Sequence, residues 1–465
     1  VYKRQTLGLP LSLENVGIVL GIEKQKLTIG KSLIKYFCIP CTPTKANGYR
    51  TRNLPHHDRD KWNEFIKYNK RDVETEMEIH NRLAKFQVLE QEWDNYHLDQ
   101  RINDYGIMID LDFVNHAIRC DEENQENNIE KVKLITGVNN PNSPKQLKEW
   151  LIEQGMTEID SLSKADVTRL LKDATGNVEE ILKLRQDIAK SSVKKYIAMQ
   201  NVVCKDDRCR GLIQFYGANR TGRYAGRLIQ MQNLPQNHLE PLSEARELIR
   251  MENLDGTLAK FGAISTVLSE LIRTAFIPKK GYRFIVSDFS AIEARVLAWL
   301  AKEEWRLELF RNGGDIYCMS ASKMFGVPVE KNGINKELRQ KGKIAELACG
   351  YGGSVGALKA FGAIALGIKE IELKGIIDKW REANPNIIKL WWEVDKTAKN
   401  VITNKSTLMC YGLKFSYEKG IMFIELPSKR RLAYCKPRIG INALGLKCIT
   451  YEGIGTGKKL SLIHI

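Results

Sequence analysis

Four side chains at four-residue intervals make residues 339–352 the segment best suited to ligand chemistry. Arg339, Lys343, Leu347 and Tyr351 recur along a stretch that contains good helix formers and no proline. On a helix with a period of about 3.6 residues, fourfold spacing keeps side chains on one broad face. Two cations at one end of that face and an aromatic ring at the other would suit a ligand that is anionic at one end and flat at the other, such as a nucleoside triphosphate. The alternative is a solvated basic helix with Tyr351 as a core residue.

Two acidic residues follow an apolar stretch that predicts a strand. Residues 281–288 read Gly-Tyr-Arg-Phe-Ile-Val-Ser-Asp, and Ser290 is placed to cap a helix over 291–310. A carboxylate at the carboxyl end of a strand, in front of a helix, is a common position for a ligand site. Asp288 is therefore a candidate ligand-binding residue, and Glu293 lies one turn into the following helix. The alternative for Asp288 is a helix N-cap.

A tyrosine and an aspartate lie one helical turn apart nearer the start of the chain. Tyr68 and Asp72 fall within a long helix that the sequence predicts from about Asp58. A carboxylate beside a phenol can hold a divalent metal ion and orient an attacking water molecule. The alternative is the exposed face of an acidic helix.

Two segments have the composition expected of a nucleic-acid surface. The sequence predicts one long helix over 177–202, whose basic residues include Lys190 and Lys194. Residues 219–227 then place three arginines among small residues, and the neutral amides of Gln232 and Asn233 follow. Basic side chains bind phosphates, and neutral amides can reach acceptors in the minor groove. A solvated helix face and a Gly-rich surface loop are the alternatives.

Composition sets the limits of these interpretations. The 465 residues suffice for roughly three domains. The formal net charge is +16, from 72 Lys and Arg against 56 Asp and Glu, which favours a polyanionic partner. No apolar run is long enough to predict a membrane span. The ten cysteines are scattered without a secretory segment, and the Cys38–Cys41 pair has no second ligand pair nearby, so we expect reduced thiols and no zinc site.

With these segments in order, the chain resembles a family A DNA polymerase of the polymerase I type, especially its phage branch. Four motifs carry the resemblance, which covers nearly the whole chain. They are Asp288–Arg295 for the first polymerase motif, Arg339-x3-Lys343-x7-Tyr351-Gly352 for the second, Thr221–Arg223 with Gln232–Pro235 for the template–primer segment, and Tyr68-x3-Asp72 for the last 3′–5′ exonuclease motif.

The resemblance implies a mixed, helix-rich α/β fold: a right hand of thumb, palm and fingers that follows the C-terminal part of a ribonuclease H-like exonuclease domain. The implied domains are the exonuclease remnant (1–88), palm entry and thumb (89–210), the first part of the palm (211–300), the fingers with a nucleotide helix at 336–350 (301–403), and the start of the return to the palm (404–465).

The resemblance also assigns roles at the nucleotide. Two Mg²⁺ ions would be bound by Asp288 and the main-chain carbonyl of Phe289, for transfer of a deoxynucleotide to a primer 3′-hydroxyl. Arg339 and Lys343 would hold the triphosphate, with Lys343 assisting the leaving group, and Tyr351 would lie by the nascent pair. The remaining assignments are Glu293 as a block to a 2′-hydroxyl, Tyr317 where cellular members commonly carry His, and Leu347 where the family usually has Phe or Tyr.

The implied partners are primer–template DNA and deoxynucleoside triphosphates (dNTPs). The DNA contacts would come from Thr221, Arg223, Gln232, Asn233, Lys190 and Lys194. We expect a monomer in the cytoplasm of a bacterial host, working with phage replisome factors in replication or repair. No membrane contact is expected.

Two departures from the family bear on catalysis. The His-Asp-Glu turn of the third polymerase motif does not occur after Tyr351, and the first two exonuclease motifs are missing. We therefore expect an internal piece of a longer protein, truncated at both ends and of metagenomic origin, that does not extend primers by itself. A non-catalytic DNA-binding role is the alternative. A single-subunit RNA polymerase is a weaker one, because Glu293 and the exonuclease motif argue against it.

Overall fold

A computed structural model of the chain describes residues 7, 9–10, 12–23, 27–156, 159–190, 193–218, 221–442, 445–454 and 460–464. Residues 1–89 and 286–465 form one compact unit, and residues 90–285 form another. Each unit contains its own apolar clusters.

The N-terminal part of the first unit is helical. The Ser12 side chain caps the first helix and the Asp58 side chain caps the third, as polar residues at N-cap positions do. Gly30 allows the second and third helices to pack closely, because a Cβ at this position would lie 2.0 Å from the ring of Tyr68. The elements are α1 (Leu13–Val19), α2 (Gly30–Cys38) and α3 (Arg59–Leu83).

The second unit surrounds one long helix with shorter ones. Phe113, Val114 and Ala117 on α5 are fully buried in its core. Its strands form a three-stranded antiparallel sheet in the order β2-β1-β5 and a separate β3–β4 hairpin. In order, its elements are α4 (Glu90–Tyr105), β1 (Ile107–Ile109), α5 (Leu111–Thr136), α6 (Pro144–Glu153), α7 (Lys164–Leu170), α8 (Gly176–Ile188), α9 (Lys194–Val202), β2 (Arg208–Cys209), β3 (Ile213–Ala218), β4 (Arg223–Gly226), α10 (Leu242–Arg250), α11 (Leu254–Phe261), α12 (Ile264–Leu271) and β5 (Phe276–Ile277).

The C-terminal part of the first unit begins with a cluster of helices. Their apolar faces meet around the buried residues Ala345, Ala348, Leu373, Trp380 and Ile387. These helices are α13 (Ile292–Ala301), α14 (Glu304–Arg311), α15 (Ile316–Phe325), α16 (Leu338–Cys349), α17 (Val355–Ala360), α18 (Glu370–Glu382) and α19 (Pro385–Asn404).

A six-stranded antiparallel sheet follows, in the order β11-β10-β9-β8-β7-β6. The β-rich character predicted for 406–437 is confirmed. Lys419 and Gly420 both have positive φ between β7 and β8, as a two-residue hairpin turn of the primed type requires. Phe423 packs against the apolar residues of α1 and α3. The strands are β6 (Thr407–Cys410), β7 (Leu413–Glu418), β8 (Ile421–Glu425), β9 (Arg431–Ile441), β10 (Lys447–Ile454) and β11 (Leu460–His464).

The predicted strand over 281–288 is wrong. These residues are irregular and exposed, with Ile285 at 84% and Val286 at 90% relative exposure. A strand needs a neighbouring backbone to satisfy its N–H and C=O groups. No strand within the described ranges pairs with this segment.

Two predicted helices are each divided. The helix predicted over 177–202 is divided into α8, which ends at Ile188, and α9, which begins at Lys194. The helix predicted over 291–310 ends at Ala301, where Lys302 takes a left-handed conformation, and α14 follows. Ser290 does not cap it, because α13 starts only at Ile292 and Ala291 occupies the N-cap position without a side-chain hydrogen bond.

None of the helices within the described ranges combines the length and the apolar character that a membrane span requires.

Candidate functional site

Close packing of α16 on α15 positions the predicted nucleotide face. A Cβ at Gly342 would lie 2.2 Å from the carbonyl oxygen of Tyr317, so only glycine permits this approach without a shift. The contact places the start of α16 beside the start of α15. Arg339 therefore comes within reach of Asp315, the residue that caps α15.

Arg339 is held by an ion pair. Its Nε and Nη2 atoms both donate to Oδ2 of Asp315, at 2.9 and 2.8 Å, and its guanidinium lies 5.3 Å from the ring centroid of Tyr317. Burial opposes ionisation of Asp315. The hydrogen bonds from Arg339 and from the backbone N–H groups of Cys318 and Tyr317 outweigh it and hold the pKa of the carboxyl below its ordinary value. Burial, with Glu346 and Asp315 nearby, raises the pKa of the Tyr317 phenol.

The other members of the predicted face lie further along α16. Lys343 and Leu347 are half-buried on the helix. Tyr351 lies two residues beyond the end of α16, in a turn that Gly352 completes with a φ of 74°. The Tyr351 side chain is 68% exposed, and its hydroxyl donates a hydrogen bond to Oε2 of Glu293. The structure thus brings together two pairs of predicted nucleotide residues, Arg339 with Tyr317 and Tyr351 with Glu293.

Asp288 and Phe289 lie in the irregular segment before α13. Both are exposed, Phe289 at 78%. Across the part of the chain that the structure describes, no group of three or more His, Cys, Asp or Glu side chains is arranged to hold a metal ion. Mg²⁺ prefers six oxygen ligands in a near-octahedral arrangement, and a two-ion site shares several carboxylates. One aspartate and one carbonyl do not fit such a site.

In the second unit, the β3–β4 hairpin carries the predicted template–primer residues. Arg223 is the first residue of β4 and is exposed, and its backbone N–H donates to Oγ1 of Thr221 at 3.4 Å. The Gln232 amide lies against Gly226, the last residue of β4. The contact is so close that a Cβ at Gly226 would be 1.8 Å from Oε1 of Gln232. The Asn233 side chain is exposed and donates to Oε1 of Gln230. Asn219 and Arg220 lie outside the described residues.

The two lysines predicted to bind DNA differ in their surroundings. Nζ of Lys190 donates to Oγ1 of Thr266 at 2.7 Å, and burial lowers the pKa of this lysine. Lys194 is exposed at the first turn of α9. Lys194 is thus available to a phosphate. Lys190 would have to break its hydrogen bond to Thr266 before it could bind one.

The predicted exonuclease pair lies on α3. Tyr68 is 5% exposed and packs with Leu33 and Phe37, its ring stacked on that of Phe65. Asp72 is half-buried one turn later. Tyr68 therefore has a packing role, whatever else the pair does.

Sequence reasoning missed two residues that hold predicted ones. Asp315 anchors Arg339, and its only signal is its place before a helix, after Gly313-Gly314. Arg273 donates to the carbonyls of Leu234 and Pro235, at 2.8 and 2.6 Å, and so fixes the end of the template–primer segment. No local pattern marks Arg273.

Comparison with known proteins gives one consistent result. The sequence model of DNA polymerase family A matches residues 114–413. A DNA polymerase of Bacillus phage SP02 is 52% identical over 451 residues, which are 96% of this chain and 69% of the relative. DNA polymerase I of Rhizobium leguminosarum is 40% identical over 125 residues, 27% of this chain and 12% of that protein.

A solved structure shares the fold. It is the POL domain of Pol1 from M. smegmatis in complex with a DNA primer–template and dNTP, with a TM-score of 0.50 and 18% identity, and the match covers 88% of this chain and 61% of that one. These matches confirm the resemblance that the four motifs predicted, and with it the mixed, helix-rich α/β fold.

Proposed function

Because this chain belongs to DNA polymerase family A, we propose that it binds a primer–template duplex together with an incoming dNTP, as part of a DNA-directed DNA polymerase. The enzyme class predicted from the sequence follows from that membership. The observation that carries the binding proposal is the arrangement at α16, where Arg339, Tyr317, Tyr351 and Glu293 form two contacting pairs.

The nucleotide would bind along the exposed face of α16. Arg339 offers a planar fork of N–H donors to phosphate oxygens, and Lys343 offers a compact positive charge. The exposed Tyr351 ring provides a flat apolar surface for the base or sugar. The hydrogen bond from Tyr351 would hold the Glu293 carboxylate where a 2′-hydroxyl would otherwise lie, which supports selection of deoxynucleotides over ribonucleotides.

The duplex would bind the second unit. Arg223 and Lys194 are exposed cations suited to phosphates, and the amides of Gln232 and Asn233 offer neutral donors and acceptors. These groups recognise duplex DNA without reading its sequence. The Mycobacterium structure, described with a primer–template and dNTP, supports the same pair of ligands here.

Salt dependence tests the DNA part of the proposal. We expect fluorescence anisotropy of a labelled primer–template to show affinity that falls steeply with salt, and Arg223→Ala to lower the slope of log Kd against log salt by about one. Lys145→Ala removes one positive charge from an 85% exposed side chain of α6 and is the matched control. Equal effects of the two substitutions would refute the assignment of Arg223.

A second function, binding without nucleotidyl transfer, is favoured for these 465 residues by one observation. Asp288 is the one carboxylate that the resemblance assigns to the polymerase metal site, and it lies in an exposed irregular segment. Primer extension with Mg²⁺ and four dNTPs separates the two functions. We expect binding without extension. Extension that Asp288→Ala abolishes would instead assign the transferase to these residues.

A further inference from the structure

A buried polar cluster lies beneath the nucleotide helix. It consists of Arg306, Ser320, Glu346, Trp380 and Asn384, here called the Glu346 hub, and each member is 6% exposed or less. Charged side chains are seldom buried to this extent unless they are paired. None of the roles proposed above uses this cluster.

The Glu346 carboxylate accepts four hydrogen bonds from three other helices. Nη1 of Arg306 on α14 donates to Oε2 at 2.8 Å, and Nη2 donates to Oε1 at 2.7 Å. The indole Nε1 of Trp380 on α18 donates to Oε1 at 2.7 Å, and the Ser320 hydroxyl on α15 donates to the same atom. The remaining Arg306 edge is satisfied as well, since Nε donates to Asn384, whose own amide donates to the Trp380 carbonyl at 2.6 Å.

These bonds fix α16 in two senses. A bidentate Arg–carboxylate pair has a narrow geometry, so rotation of α16 about its axis breaks at least one of its bonds. Sliding of α16 along α15 is blocked by three successive contacts, Arg339 with Asp315, Gly342 against Tyr317, and Glu346 with Ser320. Any such movement leaves a buried charge unpaired, which is unfavourable.

Fixing α16 fixes the face that it presents. Glu346 lies seven residues after Arg339, so the two project from nearly the same side of the helix, about 20° apart. Lys343 lies about 60° from Glu346 around the helix axis, on the more exposed side of α16. The hub and the Asp315 ion pair therefore anchor one edge of α16 at two points, with the predicted triphosphate face next to that edge.

We propose that Glu346 is a positioning residue for nucleotide binding, through a hub that sets the rotation and axial position of α16. This inference rests on the proposed function and names a further residue for the same site. Glu346 touches no nucleotide; it acts through the orientation of Lys343, Leu347 and Tyr351. A buried ion pair adds little to stability compared with apolar residues of similar volume, which leaves orientation as the role that this chemistry serves best.

The test measures dNTP and DNA binding separately. The chain is bound to a primer–template whose primer ends in a dideoxynucleotide, and the complementary dNTP is titrated by calorimetry in Mg²⁺ buffer. We expect Glu346→Gln to raise the dNTP Kd at least tenfold and to leave the primer–template Kd within twofold, because the amide nitrogen donates where the hub needs an acceptor.

A matched control separates positioning from loss of stability. Glu303 is also buried, at 4%, but its carboxylate accepts the backbone N–H groups of Asn386 and Ile387 at the start of α19. Glu303→Gln should lower the melting temperature comparably and leave the dNTP Kd within twofold. Equal weakening of dNTP binding by both variants would overturn the inference.

A double variant covers the case in which Glu346→Gln fails to fold. Arg306→Met/Glu346→Met replaces the ion pair with apolar side chains, and we expect the melting temperature to recover while dNTP binding stays at least tenfold weaker. Recovery of both the melting temperature and dNTP binding would show that the hub serves stability alone and would overturn the inference.

The same titrations separate failure of the proposed function from failure of the inference. If the unmodified chain binds DNA but no dNTP, the proposed function fails and the inference fails with it. If the unmodified chain binds dNTP and Glu346→Gln binds it equally well, only the inference fails.

Discussion

Oδ2 of Asp315 accepts hydrogen bonds from both Nε and Nη2 of Arg339, at 2.9 and 2.8 Å. One edge of the guanidinium is thereby held by the carboxylate. The same aspartate caps α15 through the backbone N–H groups of Tyr317 and Cys318. Asp315, the N-cap residue of α15, thus orients the Arg339 side chain on α16.

Removing this anchor should weaken nucleotide binding. Asp315→Asn keeps the cap, because Asn is as good an N-cap residue as Asp, but it loses the ion pair. Ordering a free arginine costs about 0.5–1.5 kcal/mol, so we expect the dNTP Kd to rise about two- to tenfold. The melting temperature should fall as well, because each partner is only about a quarter exposed and the ion pair helps to lower the pKa of Asp315. Tighter dNTP binding would mean that Asp315 competes with the phosphates.

The close approach of α15 and α16 predicts a glycine requirement. Gly342→Ala places a methyl group against the Tyr317 carbonyl, so the helices must separate, and we expect a loss of about 1–3 kcal/mol in the free energy of unfolding together with weaker dNTP binding. Gly375 on α18 has open space at its Cβ position. Gly375→Ala should therefore stabilise by about 0.5–1 kcal/mol in the same urea titration. An unchanged stability of Gly342→Ala would contradict the packing.

The Tyr351–Glu293 hydrogen bond predicts a change in sugar discrimination. Tyr351→Phe keeps the ring and removes the hydroxyl that donates to the Glu293 carboxylate. We expect dNTP affinity to stay within twofold and the ratio of ribonucleotide to deoxynucleotide Kd to fall several-fold. Glu293→Ala, which removes the carboxylate itself, should lower this ratio further. Competition binding of the two triphosphates to the DNA complex measures the ratio. An unchanged ratio in both variants would remove Glu293 from the site.

A buried carboxyl in the second unit predicts a pH-dependent stability. Burial, with Asp187 nearby, raises the pKa of Asp121 to about 6, although Gln125 donates a hydrogen bond to it. The folded chain therefore binds a proton more tightly than the unfolded chain, and this contribution to stability is lost as pH rises from about 4 to 6. Asp121→Asn should raise the free energy of unfolding at pH 7.5 by about 1–3 kcal/mol and have little effect at pH 4.

Asp110 provides a control of opposite sign. Burial would raise the pKa of its carboxyl, but the Phe113 N–H together with Arg246 and Arg250 lowers it. The folded chain then releases the proton more readily, so this stabilisation is present above the unfolded pKa and is lost as pH falls. Asp110→Asn should destabilise at pH 7.5. If both aspartate variants shift stability in the same direction at that pH, the pKa assignments are wrong.

Local patterns predicted the parts of the site that depend on neighbours in sequence. Fourfold spacing predicted that Arg339, Lys343 and Leu347 share one helix, and the structure places all three on α16. The long helix predicted from about Asp58 is α3, and the Asp58 side chain accepts the backbone N–H of Lys61 at its start.

The parts that sequence reasoning missed depend on distant partners. The apolar residues of 281–288 match a strand, but no strand in the described ranges lies beside them. Glu346 looked like an ordinary helical residue, because its donors Arg306, Ser320 and Trp380 lie 26 to 40 positions away. A helical period indicates which side of a helix is buried but not which side chains meet there.

Binding of dNTP to the complex of this chain with a dideoxy-terminated primer–template tests the central claim most directly. Arg339 and Lys343 should each contribute about 1.5–3 kcal/mol through hydrogen bonds to charged phosphates, so Arg339→Ala/Lys343→Ala should raise the dNTP Kd at least a hundredfold and leave DNA affinity nearly unchanged. Lys341→Ala removes the same charge from the other side of α16 and should have little effect. Equal dNTP affinity in all three proteins, or no dNTP binding by the unmodified chain, would contradict the account.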